Sequence, residues 1–376
     1  MWSKRIDGSN PTEPFPAEPD LVMLFGPTER LADPGFTASL IDRYHDAILI
    51  GCSSGTMVDG DCLDDDAVVI LGMGFSRTEL RLAVAPLPSA DASFAAGAAL
   101  GADLADDTLS AVFVLSNGLN VNGSALVAGI RSAIGEGVVL SGGLAGDGAR
   151  FAETRVLAGS KSRSNDVAAI GFYGDHIRFA HGSAGEWQPF GPVRTISDAN
   201  GSELCGLDDE PALALYERYL GEEATDLPAS GLLYPLEIWD PVAPEDRVVR
   251  TLLAIDRDKG SLTFAGDMPQ GWKARLMRGI FDDLIGGATT AAQHAVDQAA
   301  TWGVAPSACL AISCVGRRLL MGHRTDEEIA AVSAVLGPDI ALAGFYSYGE
   351  IAPQNVTGVP CLHNQTMTIT LIGERA

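Results

Sequence analysis

The residues of this chain whose types and spacing could do chemistry fall into a few short stretches. Gly51-Cys52-Ser53-Ser54-Gly55 matches G-x-S-x-G, the pattern in which a strained strand-to-helix turn presents a serine hydroxyl to a histidine base. That geometry needs a helix next, and the acidic, turn-rich Met57–Asp66 follows instead. A tight Gly/Ser turn closing a strand is the stronger reading, with Ser53 as a hydrolase nucleophile the minor one. Gly142-Gly143-Leu144-Ala145-Gly146-Asp147-Gly148 is a glycine-rich loop after a strand. A phosphate cradle wants a helix N-terminus there and no carboxylate. Asp147 and the extended character of Arg150–Leu157 argue against a nucleotide. They favour a tight turn or a loop that brings backbone close to a ligand.

Cys309 and Cys314 are five residues apart on an expected strand, so they point to opposite faces. No matching Cys or His pair stands near them, which argues against structural zinc and for buried, inert thiols. Cys314, at the strand end before Val315-Gly316-Arg317, is the second candidate nucleophile for a hydrolase. His181 lies in a loop rich in glycine, proline and aromatics, and His363 enters a strand through Leu362-His363-Asn364-Gln365-Thr366. Either neutral imidazole could ligate iron, although a partner in a hydrogen-bond network is the commoner fate of a histidine. Tyr346-Ser347-Tyr348-Gly349-Glu350 gathers polar groups at a turn, suited to gripping a small polar ligand or closing an interface.

The elements that must position these residues belong to a 376-residue chain, long enough for two or three domains. It carries 25 basic and 49 acidic residues, a formal charge of −24, which repels nucleic-acid backbones and anionic membrane surfaces. The nearest thing to a basic patch is Arg317-Arg318. No apolar run is long enough to span a membrane, and the N-terminus lacks a signal-peptide core. Six scattered cysteines fit a reducing compartment, so the expectation is a cytoplasmic protein.

Short apolar runs alternate with helical stretches, the pattern of an α/β or α+β fold. Helices are expected at 35–44, 91–104, 125–134, 211–219, 273–302 and 326–336, with Asp208 and Asp209 capping the fourth and Gly286-Gly287 interrupting the fifth. Strands include 47–50, 67–73, 111–115, 138–140, 155–157, 167–172, 248–255, 261–265, 309–313, 340–343 and 367–372. Ala111–Asn117, a helix and Val138–Gly146 are echoed by Cys309–Cys314, a helix and Ile340–Gly349, which reads as a duplicated unit. The expected architecture is two related halves with two mixed sheets packed face to face, one mainly from each half, and helices outside, an αββα-like sandwich with a ligand cleft between the halves.

The chain resembles the FIST family, in which N- and C-terminal FIST modules stand in tandem. The resemblance rests on Gly51–Gly55, Gly142–Gly148 and Trp187–Arg194 in the first part, and on Cys314–Arg317, Gly344–Ile351 and His363–Met367 in the second. The proline-rich segment 1–29 reads as a loose leader, and the resemblance implies an N-terminal module over 30–197 and a C-terminal module over 198–376. The function implied is intracellular sensing of a small ligand, by a protein that is not an enzyme. Its closest likeness is to free-standing members that look like haem-containing nitric-oxide sensors regulating a partner histidine kinase. Non-covalent haem would then be the cofactor, with His363 its first candidate ligand and His181 the second. An amino-acid or other metabolite sensor without haem is the alternative. Tyr346, Tyr348, Glu350, Asn364, Cys314 and Arg317 are the candidate ligand-binding residues.

Overall fold

The computed structural model describes residues 1–7, 14–354 and 357–375. The mixed α/β class and the helices on the outside are as expected, and the repeated unit occurs three times. The first copy runs through strand Leu21–Gly26, helix Pro34–Arg43, strand Ile48–Ser53, the hairpin Met57–Asp59/Cys62–Asp64 and the return strand Val69–Gly74. The second is Leu109–Ser116, helix Gly123–Ala133, Val139–Leu144, the hairpin Val156–Ala158/Lys161–Arg163 and Asp166–Tyr173. The third is Ala308–Cys314, helix Thr325–Leu336, Ala341–Ser347, the hairpin Gly349–Pro353/Pro360–His363 and Met367–Glu374. In each copy the two strands around the helix pair in parallel, and the return strand pairs antiparallel with the first of them.

The hairpins are exchanged in a ring. The first copy's hairpin pairs with Ala341–Ser347 of the third, the second copy's with Ile48–Ser53 of the first, and the third copy's with Val139–Leu144 of the second. A further strand, Trp2–Asp7, Glu79–Pro86 or Ile177–Ala184, completes each six-stranded sheet. The expectation of one sheet per half is therefore corrected: three sheets, each drawing on two copies, surround one apolar centre. That centre takes Leu21, Met23 and Phe25 from the first sheet, Phe113, Leu115 and Ile170 from the second, and Leu310, Ile312 and Phe345 from the third. Phe25 stacks on Phe345 with centroids 4.9 Å apart, joining two sheets directly. Each such fully buried side chain contributes roughly 1.5–3 kcal/mol. The outer faces are covered by helices with their own apolar clusters.

Between Ile177–Ala184 and helix Phe281–Ala299 lies a fourth sheet of nine strands, closed over helix Ala212–Leu220 with a separate core. Several local expectations change here. Lys273–Arg278, expected to be helical, is a strand pairing with Leu236–Trp239, and the helix runs unbroken through Gly286-Gly287 from Phe281. Residues 248–255 form two strands, Arg247–Arg250 and Leu252–Asp256. Asp208 and Asp209 do not cap the helix. Both adopt positive φ (49° and 67°) in the two-residue turn between Glu203–Leu207 and Glu210–Pro211, the conformation a right-twisted hairpin demands. The segment 1–29, expected to be loose, supplies an edge strand, Trp2–Asp7, and an inner strand, Leu21–Gly26. Of that expected leader, 8–13 lie outside the described residues.

Candidate ligand site

The third sheet's edge explains where the apolar centre gives way to polar groups. Ile177 and Phe179 on one strand and Ile372 on its neighbour reach the centre. Alternation then puts His181 and Ser183, and Thr370, Thr368 and Thr366, on that same face. All five are at least nine-tenths buried. Opposite them stands the hairpin Gly349–Pro353/Pro360–His363 of the second sheet. Its Ile351 and Leu362 pack toward the helices, so Glu350 and His363, direct cross-strand partners, take the other face. Thr366 donates from its backbone N–H (3.2 Å) and its hydroxyl (2.9 Å) to Glu350 Oε2, tying the two sheets together. Ser347 donates to Glu350 Oε1 at 2.6 Å.

Burial raises the Glu350 carboxyl to about 8 and lowers His363 to about 4, so both are neutral near pH 7. A raised carboxyl favours the fold below its ordinary range and ceases to do so as it ionises. Stability tied to Glu350 is therefore present below about 4.5 and is lost as pH rises through about 8. His363 acts on the other side: its contribution is present above 6.5 and is lost as pH falls through about 4. Glu350→Gln is expected to flatten the alkaline fall of Tm between pH 5 and pH 9. Melting curves at matched ionic strength check this, and parallel profiles for the two proteins would contradict it.

Two cavities flank this seam, and Gln354 borders both. The larger, about 670 Å³, is lined by His181, Phe179, Val139, Arg131, Gln298 and Val359. The smaller, about 330 Å³, opens between the seam and the fourth sheet, with His363, Thr366 and Trp187 on one side and Glu237, Asp246 and Val249 on the other. His181 is 8% exposed, its Nδ1 has no hydrogen-bond partner, and burial lowers its pKa to about 4.

The expected site residues divide between these cavities and the interior. His181 and His363 line one cavity each. Arg317, wholly buried, pairs with Glu328 and donates to the carbonyls of Gly185 (3.1 Å) and Leu284 (2.7 Å). Tyr346 donates to Glu328 Oε2 at 2.8 Å, so Arg317 and Tyr346 are spent on one internal carboxylate. Tyr348 donates to Asp147 and stacks on Phe151 at 4.8 Å, bracing the glycine-rich loop. Asn364, 1% exposed, has no partner for either amide atom. Cys314 is 3% exposed, and burial pushes its thiol up to about 12. Ser53 donates to Gly146 O (2.9 Å) and accepts from Arg155 N (2.8 Å), with a strand rather than a helix following, so its hydroxyl is committed to joining two copies of the unit. Neither group is set up as a nucleophile.

Arg131, Gln298, Gln354 and Asp246 carry no motif and were invisible to pattern reading. They meet only because the hairpin exchange and the fourth sheet bring remote segments together. Among the described residues no group of three or more His, Cys, Asp or Glu could hold a metal ion, and no helix is long and apolar enough to cross a membrane.

Ligand-sized cavities at a seam between sheets are where small-molecule sites form. The FIST N domain matches residues 20–210 and the FIST C domain residues 212–353, so the chain belongs to the FIST family, whose domains are sensory modules of signal transduction that bind small ligands. No curated protein matches the chain. Among solved structures, a cyanuric acid hydrolase from A. caulinodans aligns over 80% of this chain and 99% of its own length, at 12% identity and a TM-score of 0.19, too loose a superposition to bear on function.

Proposed function

We propose that this chain is a cytoplasmic small-ligand sensor whose ligand occupies the larger seam cavity, beside His181. The observation that carries this is a nine-tenths-buried, neutral imidazole on the wall of about 670 Å³ of space, within the range of small-molecule sites. The walls come from two sheets and from two helices remote in sequence, Arg131 in the last turn of Gly123–Ala133 and Gln298 in Phe281–Ala299. A ligand that fits one arrangement of these walls better than another shifts the population between them, which is what a sensor requires. Output through a separate signalling protein, such as a histidine kinase, belongs to the same proposal.

The finer reading, haem that reports nitric oxide, needs an imidazole free for iron. His363 does not fit: its Nε2 lies 3.1 Å from Ala352 O and 3.3 Å from Cys361 Sγ inside the hairpin. His181 fits, being neutral and cavity-lining, with Arg131 exposed at the rim to meet an anionic group. Haem, when bound, would supply the iron to which nitric oxide binds. We therefore assign the ligand role to His181 in place of His363. Haem titration of the wild type followed by absorption spectroscopy, beside His181→Ala and His363→Ala, tests this. The expected result is a Soret band that shifts with nitric oxide in the wild type and in His363→Ala, and that is lost in His181→Ala. A featureless spectrum in all three rejects haem and turns the same cavity to an amino acid or another metabolite, whose carboxylate Arg131 could meet.

A further inference from the structure

The smaller cavity has a different chemistry from the one beside His181, and it is walled by both separately cored parts of the molecule. Its floor is apolar, with Trp187 and Met277 buried and Val249 half-buried. Its charged lining is Glu186, Glu237, Glu245, Asp246 and Arg247. Glu237 is neutralised by two guanidiniums, from Arg247 at 3.0 Å and Arg275 at 2.9 Å. Arg247 also lies over the Trp239 ring at 4.5 Å, so the lining's one guanidinium is fully engaged. Among the described residues the carboxylates of Glu186, Glu245 and Asp246 have no ion-pair partner. Glu186 and Glu245 are exposed and Asp246 is half-buried, so their uncompensated charge faces whatever enters the cavity.

We propose that this cavity binds an organic ammonium ion that carries no carboxylate of its own. Asp246 and Glu245 accept from the ammonium group, Glu186 adds negative potential at the rim, and Trp187, Val249 and Met277 cover the alkyl chain. A zwitterionic amino acid is disfavoured, because no unengaged cation in the lining meets its carboxylate and three carboxylates repel it. Occupancy would clamp the fourth sheet against the seam, since the ligand touches both.

Calorimetric titration of the full chain with n-butylammonium and with 1,4-diaminobutane, beside butyrate, alanine and calcium, tests the proposal. Saturable binding of at least one amine is expected, weakened about tenfold by Asp246→Asn or Glu245→Gln, a loss of about 1.4 kcal/mol. Butyrate and alanine are expected not to bind. His181→Ala is expected to leave amine binding unchanged, which separates this site from the larger cavity. Circular dichroism of the Asp246 and Glu245 variants shows that they fold. Absence of amine binding, equal binding by Asp246→Asn and Glu245→Gln, or calcium binding as well as the amines would overturn the assignment.

Discussion

Arg317→Ala is expected to cost about 3–5 kcal/mol of unfolding free energy, measured by urea denaturation, and to leave little folded protein at 37 °C. The reason is local and complete. Arg317 and Glu328 are both wholly buried, and Glu328 also accepts from Tyr346 and from Ser313 at 3.3 Å. The same guanidinium ties Gly185 and Leu284, so one side chain joins the third copy of the unit to the loop after Ile177–Ala184 and to helix Phe281–Ala299. Removing it strands a carboxylate in the interior and takes a donor away from the carbonyls of Gly185 and Leu284. Arg317→Met with Glu328→Leu, which removes both charges, is expected to recover most of the loss. A single variant as stable as the wild type would show that the pair is not what holds these segments.

Gly344→Ala is the second large effect. A Cβ at Gly344 would lie 1.7 Å from Ala311 O on the parallel partner strand, a distance no side chain can occupy without moving backbone. The equivalent glycines meet the equivalent carbonyls: Gly51 is placed 2.2 Å from Leu24 O, and Gly142 1.8 Å from Val114 O. Overpacking of a close-packed interior costs about 3 kcal/mol or more when the backbone must yield. Gly286, inside helix Phe281–Ala299 with open space around it, is the control. Gly286→Ala is expected to stabilise by about 0.5–1 kcal/mol through helix propensity. Equal melting temperatures for Gly344→Ala and the wild type would remove the close approach as a constraint.

These glycines also show how far the sequence could be read. The copies beginning at Leu109 and Ala308 stand out because each has one strand of continuous apolar residues, a helix and a second strand ending in a glycine-rich turn. The copy beginning at Leu21 was hidden. Its first strand lies directly after a proline-rich stretch that suggests looseness, and its connection is a short helix, Thr28–Ala32, followed by Pro34–Arg43. The surviving signal was Gly51 at the foot of Ile48–Ser53, which pattern reading attached to a serine motif instead. The hairpin exchange was not legible, because Met57–Asp59 and Val156–Ala158 are three residues long and pair with strands far away in sequence.

Site reading followed the same physics. His181 and His363 were recognisable as candidates, since imidazole chemistry is a property of the residue. Which of them stands on a cavity wall without a ring hydrogen bond depends on the register of Ile177–Ala184 against Met367–Glu374. Arg317 and Tyr346 looked like ligand contacts because polar groups at a strand end suggest one. Their partner, Glu328, lies in helix Thr325–Leu336, and nothing in its sequence context marks it as buried.

The larger seam cavity is the proposed seat of the sensed ligand. The most direct measurement is mass spectrometry of small molecules released by denaturing the purified protein, in parallel for the wild type, His181→Ala and Val359→Trp. Val359 is 36% exposed on the cavity wall, so a bulkier side chain there can obstruct the space without disturbing the core. A compound present near one equivalent in the wild type, after incubation with a metabolite extract, and depleted in both variants is the expected result. The same compound at the same level in all three proteins, or none in the wild type, would contradict it.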